Sequence, residues 1–373
     1  MSKNFIFALA SLVGTIIGAG VFAIPYVMSK SGALACFFYF LILGSVVLLL
    51  HLLLGEVVLR TKGKHRLVGY AEKYLGKKAK MLITFSAIVG ASGSLLAYII
   101  LAGKFASLIF PNTLPLFTWS FIVWAGLSFL VLLGIKSISS VELFMNIGLF
   151  AVIIIIFAFS LPKVSAINLN LSGTGNLFLP FGVVMFSLIG ISAIPEITAL
   201  LKKKKNLKKI IIITSIITVC FAFLFGLIIS GVTGVNTTDE PFQGLLPFLG
   251  QKIIILGGIF GLLAVSTSFL IIANHLKNVF RLDYKMSYFP AFAIACFLPI
   301  ILFFIGIKQF IPVIGVVGTF IGLVEGTALI AIYKKAKKEG DKKPAYNLKT
   351  PNFLLYIMIA IFVLGALAQL IYR

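Results

Sequence analysis

The groups of this chain best suited to hold a ligand belong mostly to the backbone. Gly14-Thr15-Ile16-Ile17-Gly18-Ala19-Gly20-Val21-Phe22-Ala23-Ile24-Pro25 places three glycines within seven positions and then a proline. Glycine weakens a helix and proline lacks the N–H that the helical ladder needs, so a helix formed here is expected to break. Ser187-Leu188-Ile189-Gly190-Ile191-Ser192-Ala193-Ile194-Pro195-Glu196 repeats the pattern, Ile-Gly and then Ala-Ile-Pro, with fewer residues between. A broken helix offers free N–H groups to an anion and freed carbonyls to a cation. Two such breaks suit a zwitterion with a carboxylate and an ammonium. The N–H groups of Gly18, Ala19 and Gly20 are the expected carboxylate donors, because glycine lets a ligand come close. The carbonyls around Ser187, Leu188 and Gly190 are the expected ammonium acceptors. The competing use of small residues is tight helix packing. Gly14 and Gly18 fit it, and Gly20 departs from its spacing.

Side chains add fewer candidates. Ala264, Thr267 and Ser268 lie three and four apart and share one helical face. Their hydroxyls either serve a hard cation, which wants several oxygen ligands, or bond back to the preceding turn. Acidic residues inside apolar runs are costly and therefore functional candidates. Glu196 directly follows Pro195, with a gating or proton role set against a pair with a cytoplasmic lysine. Glu325 borders a stripe formed by Gly315, Gly318, Gly322 and Gly326 and is a candidate for ion coupling. Glu142, one turn from Asn146, reads as an anchor, and Glu56 pairs with Arg60 one turn on. Ser94 and Tyr98 are one turn apart beside the small residues Gly90, Gly93 and Ala97, and Tyr98 is expected to close over a ligand or to pack as an aromatic. His51 and His275 are proton-relay candidates or satisfied interior histidines.

Composition sets the kind of helix that carries these groups. Of 373 residues, 60% are hydrophobic and 11% charged, with a mean hydropathy of +1.14. A soluble domain carries about 25% charged residues, so a soluble enzyme and a disordered chain are both excluded. Apolar runs at 5–28, 32–59, 80–110, 116–135, 140–161, 176–200, 210–233, 252–275, 287–306, 310–333 and 351–372 are each long enough for a membrane helix, since a span needs about 20 residues. The fold class expected is an all-α polytopic membrane protein with eleven transmembrane helices in one domain. The first run is too long for a signal peptide. Cys36, Cys220 and Cys296 lie in apolar runs without paired or metal-type spacing and read as packing residues.

Net charge is +22, from 32 Lys+Arg against 10 Asp+Glu. Alternating sides at each run puts 26 of the basic residues on the side of Met1 and six on the other. The positive-inside bias then sets the N-terminus inside and the C-terminus outside a cytoplasmic membrane. Lys202-Lys203-Lys204-Lys205 reads as an anchor against anionic lipid rather than a nucleic-acid patch. Five spans separate Pro25 from Pro195, so the two broken helices enter from opposite sides. That is the signature of an inverted repeat with a binding site at the breaks. The repeats are expected at 1–162 and 175–335, with an extra helix at 351–373.

The segment 14–25 resembles the first-helix motif of the amino acid–polyamine–organocation superfamily. The segment 187–196 looks like the amino acid/auxin permease branch and its bacterial tyrosine/tryptophan permease relatives, and Ser266-Thr267-Ser268-Phe269-Leu270 with Phe280-Arg281-Leu282-Asp283-Tyr284 resembles the eighth-helix region of that branch. The resemblance implies a leucine-transporter-type fold of five plus five helices with broken helices 1 and 6. A bundle of helices 1, 2, 6 and 7 would rock against a scaffold of 3, 4, 8 and 9. It also implies a sodium site in which the Gly14 and Ile17 carbonyls complete a cage with Ala264, Thr267 and Ser268. Proton-coupled relatives carry a Thr-Ser pair there too, and some place a lysine in the fifth helix. The fifth run has none between Ser139 and Leu161, which argues for sodium. Coupling to sodium or to protons both stay open.

The resemblance implies secondary active symport of a neutral, hydrophobic or aromatic amino acid, with no cofactor. The alternatives are an exchanger or uniporter of the same fold, or an amino-acid sensor without transport. A sensor would be expected to carry a soluble tail, for which the short N-terminus and Arg373 leave no room. A membrane-embedded enzyme would need paired catalytic groups, and no two of His51, His65 and His275 share a run. The sequence carries no signal for an oligomeric state.

Overall fold

The computed structural model describes residues 3–134, 139–169, 171, 173, 175 and 177–371. The sequence readings at Lys136 and Arg373, and at the side chains of Glu142 and Asn146, fall outside the described residues. Sixteen α-helices follow one another, and there are no strands among the described residues. They are α1 (Lys3–Ile16), α2 (Gly20–Ser31), α3 (Ala33–Arg60), α4 (Leu67–Leu75), α5 (Lys77–Ile109), α6 (Leu116–Leu132), α7 (Ser139–Ser160), α8 (Leu179–Leu188), α9 (Ala193–Leu200), α10 (Asn206–Thr233), α11 (Leu246–Leu249), α12 (Gln251–Asn278), α13 (Tyr288–Phe304), α14 (Phe310–Ile321), α15 (Thr327–Glu339) and α16 (Asn352–Ile371).

Each of the eleven apolar runs coincides with a helix or a broken pair of helices. By length and apolarity seven of the described helical segments can cross a membrane, or eight with α1 and α2 taken as one bent span. Leu116–Leu132, Phe150–Lys163 and Tyr288–Phe304 are shorter apolar helices. The glycine-rich stretch breaks the first run as expected, and α1 and α2 meet at 49°. The sixth run breaks between α8 and α9, and the tenth passes through a wide five-residue π-turn, Gly322–Gly326, between α14 and α15.

The long α5 is the most buried span and α16 the least. α5 packs antiparallel against α12, and α8 packs against α14. The α8–α14 contact is backbone on backbone: a Cβ added at Gly182 would collide with the Gly315 carbonyl, and one at Gly318 with the Gly182 carbonyl. Only glycines allow helices this close.

Three lysine-rich segments converge at one end. The Arg60 guanidinium donates to Glu56 at 2.8 Å, and the fully buried Glu56 also accepts the Leu348 N–H at 2.7 Å. Lys73 pairs with Asp341, which also accepts the Lys62 N–H at 2.8 Å. Arg66 lies 3.8 Å from Glu196. Segments 60–80, 196–209 and 334–349 therefore share a face, as the alternation of spans requires.

Candidate functional site

A cavity of about 120 Å³ lies where the two breaks meet α5, α12 and the tenth run. Gly18, Ala19 and Gly20 line it from the first break, and Phe186, Ile189, Ile191 and Ser192 from the second. Ala87, Gly90, Ala91, Ser94 and Tyr98 come from α5, and His275, Ile321 and Glu325 complete the wall.

The first break frees the groups expected of it, with one change. Gly18 N–H donates to Ile16 O at 2.9 Å, Val21 N–H to Gly18 O at 3.3 Å and Phe22 N–H to Ala19 O at 3.1 Å. Gly18 is thus committed within the chain. The N–H groups of Ala19 and Gly20, at the start of α2, keep no backbone acceptor among the described residues, as first-turn donors do. The same rerouting removes the Gly18 and Val21 donors from the carbonyls of Gly14 and Ile17.

At the second break, Ile189 N–H closes α8 on Met185 O at 3.1 Å. Gly190 N–H leaves the ladder and donates to His51 Nε2 at 2.9 Å, and Gly190 O accepts from Ala193 N–H at 3.1 Å. The carbonyls of Phe186, Ser187 and Leu188 are left without their helical donors, while the Gly190 carbonyl is used. The breaks touch: a Cβ added at Gly20 would lie 2.7 Å from Ser187 Cα and 2.7 Å from its Oγ. Glycine is required there by contact. The Ser187 hydroxyl itself bonds back to Val183 O at 2.7 Å, so its backbone is the part left for a ligand.

Aromatics pack together beside the first break. Phe22 on α2 packs edge-on to Phe105 on α5 with ring centroids 5.1 Å apart, and Phe242 meets them at 5.8 and 5.7 Å. Phe242 belongs to a loop whose Glu240 carboxylate is buried and accepts the N–H groups of Phe242 and Gln243. Burial pushes the Glu240 carboxyl up to about 7, against the pull of those N–H groups and of Lys104. The cavity continues through Ile191, His275 and Glu325 into a smaller one that reaches Arg66. Arg66 donates to His275 O at 3.2 Å.

A family model for tryptophan/tyrosine permeases matches residues 1–369. The chain belongs to the tryptophan/tyrosine permease family. It is 23% identical over 346 residues to Glutamine transporter 2 of Aliivibrio fischeri, covering 88% of this chain and 89% of that one. Among solved structures, MhsT in complex with L-phenylalanine superposes with a TM-score of 0.73 at 16% identity, over 100% of this chain and 98% of that one. A manganese transporter variant from Eremococcus coleocola gives 0.69 at 12% identity, over 99% and 86%. The fold is leucine-transporter-type, and the chain is a multi-pass membrane permease of amino acids, not an enzyme.

In this permease the candidates expected on the eighth run divide. Ser268 Oγ would stand 3.4 Å and Tyr98 Oη 3.7 Å from a Cβ at Gly18, which puts both hydroxyls at the first break. The Thr267 hydroxyl donates to Ala264 O at 2.9 Å, one turn back. Glu325 faces the cavity and accepts from Ser86 Oγ at 3.2 Å. Ser94 lines the wall while its hydroxyl donates to Gly90 O at 2.7 Å. Glu196 is not at the break. Its carboxylate extends to the lysine-rich end, where Arg66 meets it. Phe186 and the hold of His51 on Gly190 escaped the sequence reading. His51 was legible as a polar residue in an apolar run, but its partner lies 139 positions away.

Proposed function

We propose that this permease is a cation-coupled symporter of a neutral aromatic amino acid that works by alternating access. The observation that carries the reading is the pair of touching breaks: the free N–H groups of Ala19 and Gly20 beside the free carbonyls of Phe186, Ser187 and Leu188. The first set suits the substrate carboxylate and the second its ammonium. The family, the phenylalanine bound by MhsT and the apolar wall of Ala87, Gly90, Ala91 and Ile321 support an aromatic side chain.

Sodium is the favoured coupling ion, held by the Gly14 and Ile17 carbonyls with Ala264, Thr267 and Ser268. The loss of helical donors at Gly14 and Ile17 supports this. Glu325 is the group for a proton. Glu196 acts with Arg66 as a closing contact on the lysine-rich side, which faces the cytoplasm by the positive-inside bias. Its lysines meet anionic lipid. Repeats at 1–162 and 175–335 would place the two breaks at equivalent positions, and the bundle of helices 1, 2, 6 and 7 would rock about them.

The test is uptake by the purified protein in liposomes under swapped gradients. Tryptophan, tyrosine or phenylalanine accumulates under an inward sodium gradient, and under a proton gradient if Glu325 carries the coupling. Failure of every amino acid under both gradients refutes transport. The glutamine transporter relative favours a second reading, a neutral polar substrate, and glutamine belongs in the panel.

A further inference from the structure

His51 lies on α3 and is fully buried. Its Nε2 stands 2.9 Å from the Gly190 nitrogen. A ring nitrogen accepts an N–H only when it carries no proton, so the imidazole is neutral with its hydrogen on Nδ1. In an unbroken helix the Gly190 N–H would donate to Phe186 O, four residues back. The imidazole takes that donor in its place. The Phe186 carbonyl is thereby released beside those of Ser187 and Leu188. Gly190 is held against α1, where an added Cβ would lie 2.6 Å from Ile16 Cγ1.

A second observation concerns the other side of the ring. His51 Nδ1 is buried without a hydrogen-bond partner. A leucine would fill much of the same space without stranding a buried donor, which is costly. Packing alone therefore does not call for histidine here, whereas acceptance at Nε2 does.

We infer that His51 is a positioning residue for substrate recognition: as a neutral acceptor it holds the second break unwound, so that the α8 carbonyls stay free for the substrate ammonium. The inference rests on the ammonium assignment proposed above.

The test compares full-length wild type with His51→Leu, His51→Asn and His51→Gln, using tryptophan, tyrosine, phenylalanine and glutamine as probes. Affinity by calorimetry and KM by liposome uptake are read together with melting temperature. Loss of the acceptor in the Leu variant weakens Kd and KM by roughly tenfold, the size of one buried hydrogen bond, with little change in maximal rate per folded molecule. Glutamine, whose Oε1 reaches the Nε2 position, recovers most of that loss, and the shorter asparagine does not. A lower maximal rate at unchanged KM, or a Gln variant as weak as the Leu variant, overturns the inference. If wild type binds none of the probes, the transport reading falls instead. Ring-nitrogen NMR then decides His51 alone, as it does if the variants fail to fold. With three histidines in the chain, His51 is expected as the tautomer with a bare Nε2, and a protonated Nε2 overturns the inference.

Discussion

Gly20→Ala tests the touching breaks directly. The added Cβ would stand 2.7 Å from Ser187 Cα, 2.7 Å from Ser187 Oγ and 3.0 Å from Phe186 Cδ1. Carbon atoms rest at about 3.5–4.0 Å, so the two segments must part by roughly 1 Å. α8 has nowhere to retreat, because Gly182 already touches α14 through the Gly315 carbonyl. The displacement therefore falls on the first break and its Ala19 and Gly20 donors. Overpacking of this kind costs about 1–3 kcal/mol, or about 5- to 150-fold if it is expressed in substrate affinity. The alanine keeps its N–H, so the variant changes distance and not donor count. Calorimetric Kd and uptake KM measure the effect. Gly126→Ala is the control, since a Cβ there meets nothing within 4 Å. If Gly20→Ala binds its amino acid as tightly as Gly126→Ala does, the breaks do not form the substrate site.

Other perturbations probe the Phe242 loop, the Arg66 end of the cavity and the ion. Glu240, held up at about 7 against an ordinary 4.5, binds its proton more tightly in the closed loop than in an open one. Closure is fully favoured below the ordinary value and weakens as pH rises through the raised one. Hydrogen exchange of the 237–249 amides, corrected for intrinsic rates, should accelerate between pH 5 and pH 8 in wild type and stay flat in Glu240→Gln; equal slopes refute the assignment. Arg66→Ala removes the tie between α9 and α12, and a partly exposed contact is worth about 1 kcal/mol or less. Thiol labelling of Ala91→Cys, in a background without the three native cysteines, should then rise by about two- to fivefold, and an unchanged rate excludes Arg66 as a closing contact. Thr267→Ala should raise the sodium needed for half-maximal uptake by roughly tenfold, the loss expected of one oxygen ligand. An unaltered sodium dependence removes Thr267 from the cation site.

The breaks were legible because helix interruption is a local property of glycine and proline, and both stretches end their helices where the pattern indicates. The shared face of 60–80, 196–209 and 334–349 was legible because alternating spans must sort their loops. Other features depend on what meets in space. Gly190 carries no mark of the histidine that receives its N–H, and nothing near Glu240 in the chain announces that Phe242 will pack against Phe22 and Phe105. Glu325 was placed beside a glycine stripe by counting regular helical turns. The π-turn Gly322–Gly326 adds a residue to one turn, rotates the register and faces Glu325 into the cavity. Glu196 was read just below the second break, with pairing to a cytoplasmic lysine as the alternative; the basic group that meets it is Arg66, from a loop 130 positions earlier that sequence spacing does not reveal.

The bare-backbone contact of Gly182 with Gly315 and Gly318 has a mechanical consequence. Interlocked side chains act as gear teeth, and moving one helix past another means disengaging them. At Gly182, Gly315 and Gly318 those teeth are missing. α8 cannot move closer to α14, but it can roll on this seat like a rod on a smooth bearing, carrying the Phe186, Ser187 and Leu188 carbonyls with it. A single methyl at Gly182 or Gly318 would act as grit in that bearing, altering how freely the substrate site turns while leaving every group that touches substrate unchanged.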